Sequence, residues 1–280
     1  MNIAISGASG LIGRQLLKSL ARAGHSVRTL SRHAPPAESL READVVIHLA
    51  GEPVAQRWTA EAKRRIRESR VTGTRNLVEA LARLPRRPES LICASAIGYY
   101  GSRGDEVLTE SSAPGSGFLP EVCVAWEREA QAAEAFGIRV VRVRTGVVLD
   151  ANGGALVRML PPFRMGLGGR LGSGRQWMSW IHLEDLTALF QFAVESQVRG
   201  PLNAVAPNPV TNSDFTRELA RTLRRPAVFP VPEFALRLLF GEMADVLLAS
   251  QRVAPAAAEA AGFRFRFPQL APALVSLLRR

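Results

Sequence analysis

Asn2-Ile3-Ala4-Ile5-Ser6-Gly7-Ala8-Ser9-Gly10-Leu11-Ile12-Gly13 is the stretch that decides the fold. Ile3 to Ser6 is a short apolar run that reads as a buried strand, and glycines follow at 7, 10 and 13. Leu16, Leu17, Leu20 and Ala21 then recur at helical spacing up to Gly24, a helix stop. In a strand–turn–helix of this kind the first glycine allows the tight turn, and the second lets backbone approach a pyrophosphate. The third allows close packing of helix on strand. The helix N-terminus adds unpaired N–H groups and a partial positive charge. Gly7, Ser9, Gly10, Leu11, Ile12 and Gly13 are therefore expected to cradle the phosphates of a dinucleotide.

The end of the second strand sets which dinucleotide. A carboxylate there accepts a ribose 2′-hydroxyl, whereas an arginine accommodates a 2′-phosphate. The sequence after Val27 to Leu30 is Ser31-Arg32-His33, with no acid before Glu38. Arg32 can form charge-assisted bonds to a phosphate and Ser31 can add a hydroxyl. NADP is the cofactor this chemistry favours.

Outward from the loop, strand and helix signals alternate. Asp44 to Leu49 reads as a third strand, residues 59–84 as a long helix ended by Pro85, and Leu91 to Ala94 as another strand. A helix over 120–136 and a strand over Arg139 to Arg144 follow. Strands separated by helix-length segments mean right-handed βαβ units and a parallel sheet. After about residue 150 the rhythm changes, with Asn152-Gly153-Gly154, Pro161-Pro162 and the glycines from 166 to 174 around Ile181 to Val194, a strand end leading into a helix. Helices are expected at 212–223, 233–248 and 270–278. The reading is an α/β chain: residues 1–150 as a doubly wound NADP-binding domain that 181–205 rejoins, and 151–180 with 206–280 as a smaller α/β substrate lobe.

Composition narrows the class. A chain of 280 residues with 47% hydrophobic and 22% charged side chains has a sizeable core, which excludes a mostly disordered chain. No apolar run reaches the ~18 residues of a membrane helix, and with Asn2 to Ile5 reading as a strand no signal segment is expected. Cys93 and Cys123 form no CxxC pair and the four histidines are dispersed, so no metal site is indicated and a reducing cytoplasm is expected. The net charge of +11 is almost wholly arginine, Lys18 and Lys63 being the lysines. The arginines are scattered and lack any nucleic-acid motif, so they read as compositional bias rather than a nucleic-acid surface.

Gly7 to Gly13, Asp44-Val-Val-Ile-His-Leu-Ala-Gly51 and Ser95-Ala-Ile-Gly-Tyr-Tyr-Gly101 together resemble the extended short-chain dehydrogenase/reductases, which include sugar-nucleotide epimerases. Trp126-Glu127, Arg144-Thr-Gly-Val-Val-Leu149, Gly172-Ser-Gly-Arg-Gln176, Ser179-Trp-Ile-His-Leu-Glu-Asp185 and Gln251-Arg-Val253 are similar to an atypical "epimerase family protein" branch with a C-terminal domain of unknown function. The resemblance spans nearly the whole chain and implies a Rossmann-like fold that binds NADP. It implies further cofactor contacts at Leu49, Ala50, Gly51, Arg70 and Val147. Arg70 stands where the wider family has an asparagine near the active site. The superfamily also allows a homodimer through helices of the nucleotide domain.

The usual Tyr-x-x-x-Lys pair of that superfamily cannot be built here. The only tyrosines, Tyr99 and Tyr100, are followed four residues on by Arg103 and Gly104, and no lysine follows Lys63. Ala96 stands at the usual serine, one residue after Ser95. Ser95, Tyr99 and Tyr100 follow a strand end, where parallel sheets bind ligands, so they are the catalytic candidates or else pack against the cofactor. His182 and Asp185 read as a helix cap rather than a relay, and Cys123 as a buried thiol. Trp177, Trp180, Phe163 and Met165 either wall a pocket or fill the core. Two functions stay open: an NADP(H)-dependent oxidoreductase or epimerase-like enzyme of unidentified small-molecule substrate, and a non-catalytic NADP(H) sensor or scaffold.

Overall fold

A computed structural model describes residues 1–31 and 37–279. Six parallel strands make the central sheet: β1 Asn2–Ser6, β2 Ser26–Leu30, β3 Val45–His48, β4 Ser90–Ala96, β5 Arg139–Thr145 and β6 Gly200–Ala204. Their spatial order is β6-β5-β4-β3-β1-β2, so the winding reverses between β1 and β3. Such a reversal opens a crevice beyond the carboxyl ends of the strands, which is where doubly wound sheets bind ligands.

The strands are apolar on both faces because helices cover both. Ile3 and Ile5 point to one side with Val45 and Ile47, packing on Leu16 and Leu20 of α1 (Leu11–Arg22). Ala4 and Val46 point to the other, toward Leu77 and Leu81 of α2 (Ala60–Ala82) and Trp126 of α3 (Phe118–Gln131). Period-2 alternation thus feeds two cores at once. A third core joins Leu156, Leu160 and Phe163 of α4 (Gly154–Arg164) to other late elements. Trp180 lies in it, just ahead of α5 (Leu183–Glu195). Phe215 and Leu219 come from α6 (Asn212–Leu223), and Leu270 and Leu274 from the C-terminal helix Leu270–Leu278. Phe163 and Trp180 are core residues, while Met165 is exposed.

Helix ends follow local chemistry. Thr59 caps α2 by accepting the Ala62 N–H at 3.1 Å. The helix expected over 120–136 starts at Phe118 and tightens to a 3₁₀ turn over Ala132–Phe136 before Gly137 at φ 79°. The helix expected over 233–248 is instead broken. It stops at Phe240, because Gly241 takes φ 60°, and resumes at Ala244–Leu248. Pro161 and Pro162 lie inside α4 rather than in a loop, near the end of the helix. Among the described residues no helix is long and apolar enough to cross a membrane.

Candidate dinucleotide site

The glycine loop runs from β1 into α1 with no room for a side chain at Gly7 or Gly13. Gly7 sits at φ +73°, and a Cβ there would fall 2.7 Å from the Leu49 carbonyl carbon and 2.8 Å from the Ala50 nitrogen. A Cβ on buried Gly13 would fall 2.6 Å from the Ala8 Cα and closer still to the Gly7 carbonyl oxygen. These contacts are backbone, which cannot yield like a flexible side chain. α1 begins at Gly10 with no side-chain cap and no acid in its first turn, so the positive end of the helix is left for an anion. Ser9 and Gly10 are exposed, and Leu11 and Ile12 half-buried.

Beside the loop, a cleft of about 710 Å³ lies between the ends of β1, β2 and β3 and the side of α2. Ser6, Ser31, His48, Gly51, Ser69 and Asn76 are among its walls. His48 is buried and shares a 2.6 Å hydrogen bond between Nδ1 and the Ser6 hydroxyl, while its Nε2 has no partner. Burial holds its pKa down at about 4, so the ring is neutral near pH 7. An orphaned buried nitrogen on a cleft wall, together with a tightly packed glycine turn ahead of an uncapped helix N-terminus, fits a bound dinucleotide. Arg32 lies outside the described residues.

Gly51 carries the site onward to Arg70. A Cβ on Gly51 would stand 3.3 Å from the Arg70 Cζ. The guanidinium donates to the carbonyls of Glu52 at 2.9 Å and Ile66 at 3.2 Å and lies 5.2 Å over Trp126. Burial lowers its pKa, with Cys123 and Glu52 opposing. Val147 is half-buried and begins a short strand, Val147–Asp150, paired with Trp180–His182.

Two of the three catalytic candidates are tied into one buried network, and the third stacks on it. Ser95 and Arg144 are register partners on β4 and β5, and Glu127 reaches them from α3. The Ser95 hydroxyl donates to Glu127 at 2.6 Å, and Arg144 donates to the same carboxylate through Nε and Nη2, each at 2.8 Å. Arg144 also donates to the Tyr100 hydroxyl at 2.9 Å, which in turn donates to the Asn203 Oδ1 at 2.7 Å. Asn203 passes a hydrogen bond on to the Ala254 carbonyl at 2.9 Å. Every side chain in this chain of bonds is at least nine-tenths buried. Burial pushes the Tyr100 pKa up, and although burial disfavours the Arg144 charge, the Glu127 bonds hold its pKa above the ordinary arginine value. The Ser95 and Tyr100 hydroxyls are thus both hydrogen-bonded inside a buried ionic network. Tyr99 differs, being half-buried with its ring 3.5 Å from the Arg144 guanidinium and its hydroxyl without a hydrogen bond among the described residues.

Other candidates resolve as structure. His182 accepts the Glu184 N–H at 3.0 Å, capping α5, and the Asp185 carboxylate accepts the N–H groups of Arg266 and Phe267 at 2.8 and 2.9 Å. Cys123 is buried and burial lifts its pKa to about 12, an inert thiol. Glu127, Arg144, Asn203 and the Ser6–His48 pair are roles that residue-by-residue reading missed. The one available signal was charge inside otherwise buried strand and helix patterns.

The profile of the NAD dependent epimerase/dehydratase family matches residues 3–205, and a domain of unknown function, DUF1731, matches 231–277. This chain belongs to the NAD dependent epimerase/dehydratase family. It is 43% identical to the epimerase family protein Mb2239 of Mycobacterium bovis, covering 97% of this chain and 96% of that one. It is 38% identical to the chloroplastic SDR39U1 homolog of Arabidopsis thaliana, over 100% of this chain and 87% of the relative. The crystal structure of human epimerase family protein SDR39U1 with NADPH superposes at a TM-score of 0.90, with 32% identity and 99% of both chains covered.

Proposed function

We propose that this chain is an NADP(H)-binding oxidoreductase or epimerase-like enzyme acting on a small molecule. The observation that carries the reading is the tightly packed glycine turn at the uncapped start of α1, next to the cleft at the sheet's switch point. The NADPH in the 0.90 TM-score relative supports the choice of cofactor. The amides around Gly7 to Gly13 hold the pyrophosphate, Ser31 and Arg32 the 2′-phosphate, and Leu49 to Gly51 the dinucleotide where it crosses β3. Arg70 and Val147 flank the far end. The lobe of residues 151–180 and 206–280 supplies the substrate wall. When bound, the nicotinamide dinucleotide supplies hydride transfer.

The protein's own part is positioning and exclusion of water. Tyr99 is the hydroxyl left to give a proton, since Ser95 and Tyr100 are committed to Glu127, Arg144 and Asn203. Both cysteines are free and buried, which suits a reducing compartment. The test is calorimetric titration with NADPH and NADP, then NADPH oxidation with a panel of carbonyl compounds in wild type and Tyr99→Phe. Tight binding with turnover that falls in the variant is expected. An empty titration ends the reading.

A second reading is favoured by that closed network: NADP(H) bound without turnover, as a sensor or scaffold. Binding without oxidation of any compound, and a partner captured only with cofactor present, separates it from the first.

A further inference from the structure

Away from the dinucleotide cleft, the C-terminal part of the chain holds a second cavity of about 400 Å³, walled by α6, Arg170 and residues 225–230. Arg170, Arg217 and Arg225 line it. Arg217 pairs with Asp214 at 3.0 Å, and that carboxylate also accepts the Thr211 hydroxyl at 2.6 Å. Arg170 is bonded only to a neutral acceptor, the Ser173 carbonyl, at 2.5 Å. The Arg225 side chain has no hydrogen bond or ion pair with the described residues. Three guanidiniums around one small space, against one carboxylate, leave uncompensated positive charge.

A hydroxyl points to the same space. Thr216 is 7% exposed and lines the cavity, and its hydroxyl makes no hydrogen bond with the described residues. Elsewhere on helices, the buried threonines Thr187 and Thr222 return their hydroxyls to the carbonyl four residues back, at 2.7 and 2.8 Å. The Thr216 oxygen is not sealed from solvent, so its hydroxyl is free to donate to a molecule in the cavity. Ser213 lies on the same face of α6, three residues earlier. A Cβ at Gly174, which has φ +71°, would overlap the Ser213 hydroxyl, so the loop is moulded around that oxygen.

We infer that this cavity is an anion site for a small phosphate-bearing molecule, separate from the dinucleotide site. Guanidiniums fit phosphate oxygens in pairs, and the two hydroxyls complete the donor set. Nothing in this inference depends on the cofactor reading.

Pyrophosphate is the probe, titrated calorimetrically into the full chain with and without saturating NADPH. Without NADPH the glycine loop can take the probe as well, so the measurement that counts is made at saturating NADPH, where one site is expected to remain. Arg225→Ala and Arg170→Ala should each weaken it by roughly tenfold, the loss of one charge-assisted bond. Thr216→Val, which keeps the side-chain shape and guards against a folding artefact, should weaken it by roughly threefold. NADPH affinity should be unchanged in all three. No pyrophosphate binding at saturating NADPH, or wild-type affinity in the variants under that condition, would overturn the inference.

Discussion

Replacing Glu127 by Gln tests the buried network directly. The Glu127 carboxylate accepts one bond from Ser95 at 2.6 Å and two from Arg144 at 2.8 Å, with Arg142 a further 3.7 Å away. Arg144 is 3% exposed, so no solvent compensates the charge that Glu127→Gln leaves behind. Breaking a buried pair by removing one partner costs about 3–5 kcal/mol. For a chain of this size that corresponds to a fall in Tm of roughly 6–10 °C. Thermal and urea unfolding of the two proteins measure it. The double variant Glu127→Leu with Arg144→Met removes both charges and should recover most of the loss, because the desolvation penalty disappears with them. A single variant within about 1 kcal/mol of wild type, or a double variant worse than the single, refutes the argument.

Gly13→Ala sets a Cβ 2.6 Å from the Ala8 backbone, so it should cost about 1–3 kcal/mol and weaken NADPH in a fluorescence titration. Unchanged affinity would mean that the loop does not hold the phosphates. Arg32→Glu should weaken NADP far more than NAD; equal losses would move the 2′-phosphate elsewhere. His48 has a native pKa of about 4 against an ordinary value of 6.5. The unfolded chain therefore takes the proton first as pH falls below 6.5, and stability drops until about pH 4, by about 3 kcal/mol in all. Nothing is lost from this group above pH 6.5. Urea unfolding at pH 7.5 and 4.5 should give a smaller difference for His48→Gln than for wild type; an equal difference excludes His48 as the cause.

Local sequence was enough for everything that short-range physics controls. The glycines at 7, 10 and 13 can serve only a crowded turn, so the cradle was legible from position alone. The alternation in β1 and β3, and the caps at Thr59 and His182, are likewise one-dimensional signals. The break at Gly241 was not legible, because a glycine inside a helical pattern stops it only when the surrounding backbone leaves φ positive.

The fate of Ser95 and Tyr100 was decided by distance along the chain. Ser95 meets a carboxylate 32 residues later, and Tyr100 an amide 103 residues later. No local pattern encodes which buried polar group another will find, since that follows from the packing of α3 against β4 and β5. A strand-end serine and tyrosine in the sequence are candidates for chemistry; the tertiary structure turns their hydroxyls inward, because a buried charge pair must have every lone pair and proton satisfied. Packing also leaves His48 with one buried nitrogen unanswered among the described residues, and only the folded chain reveals which polar groups were left over.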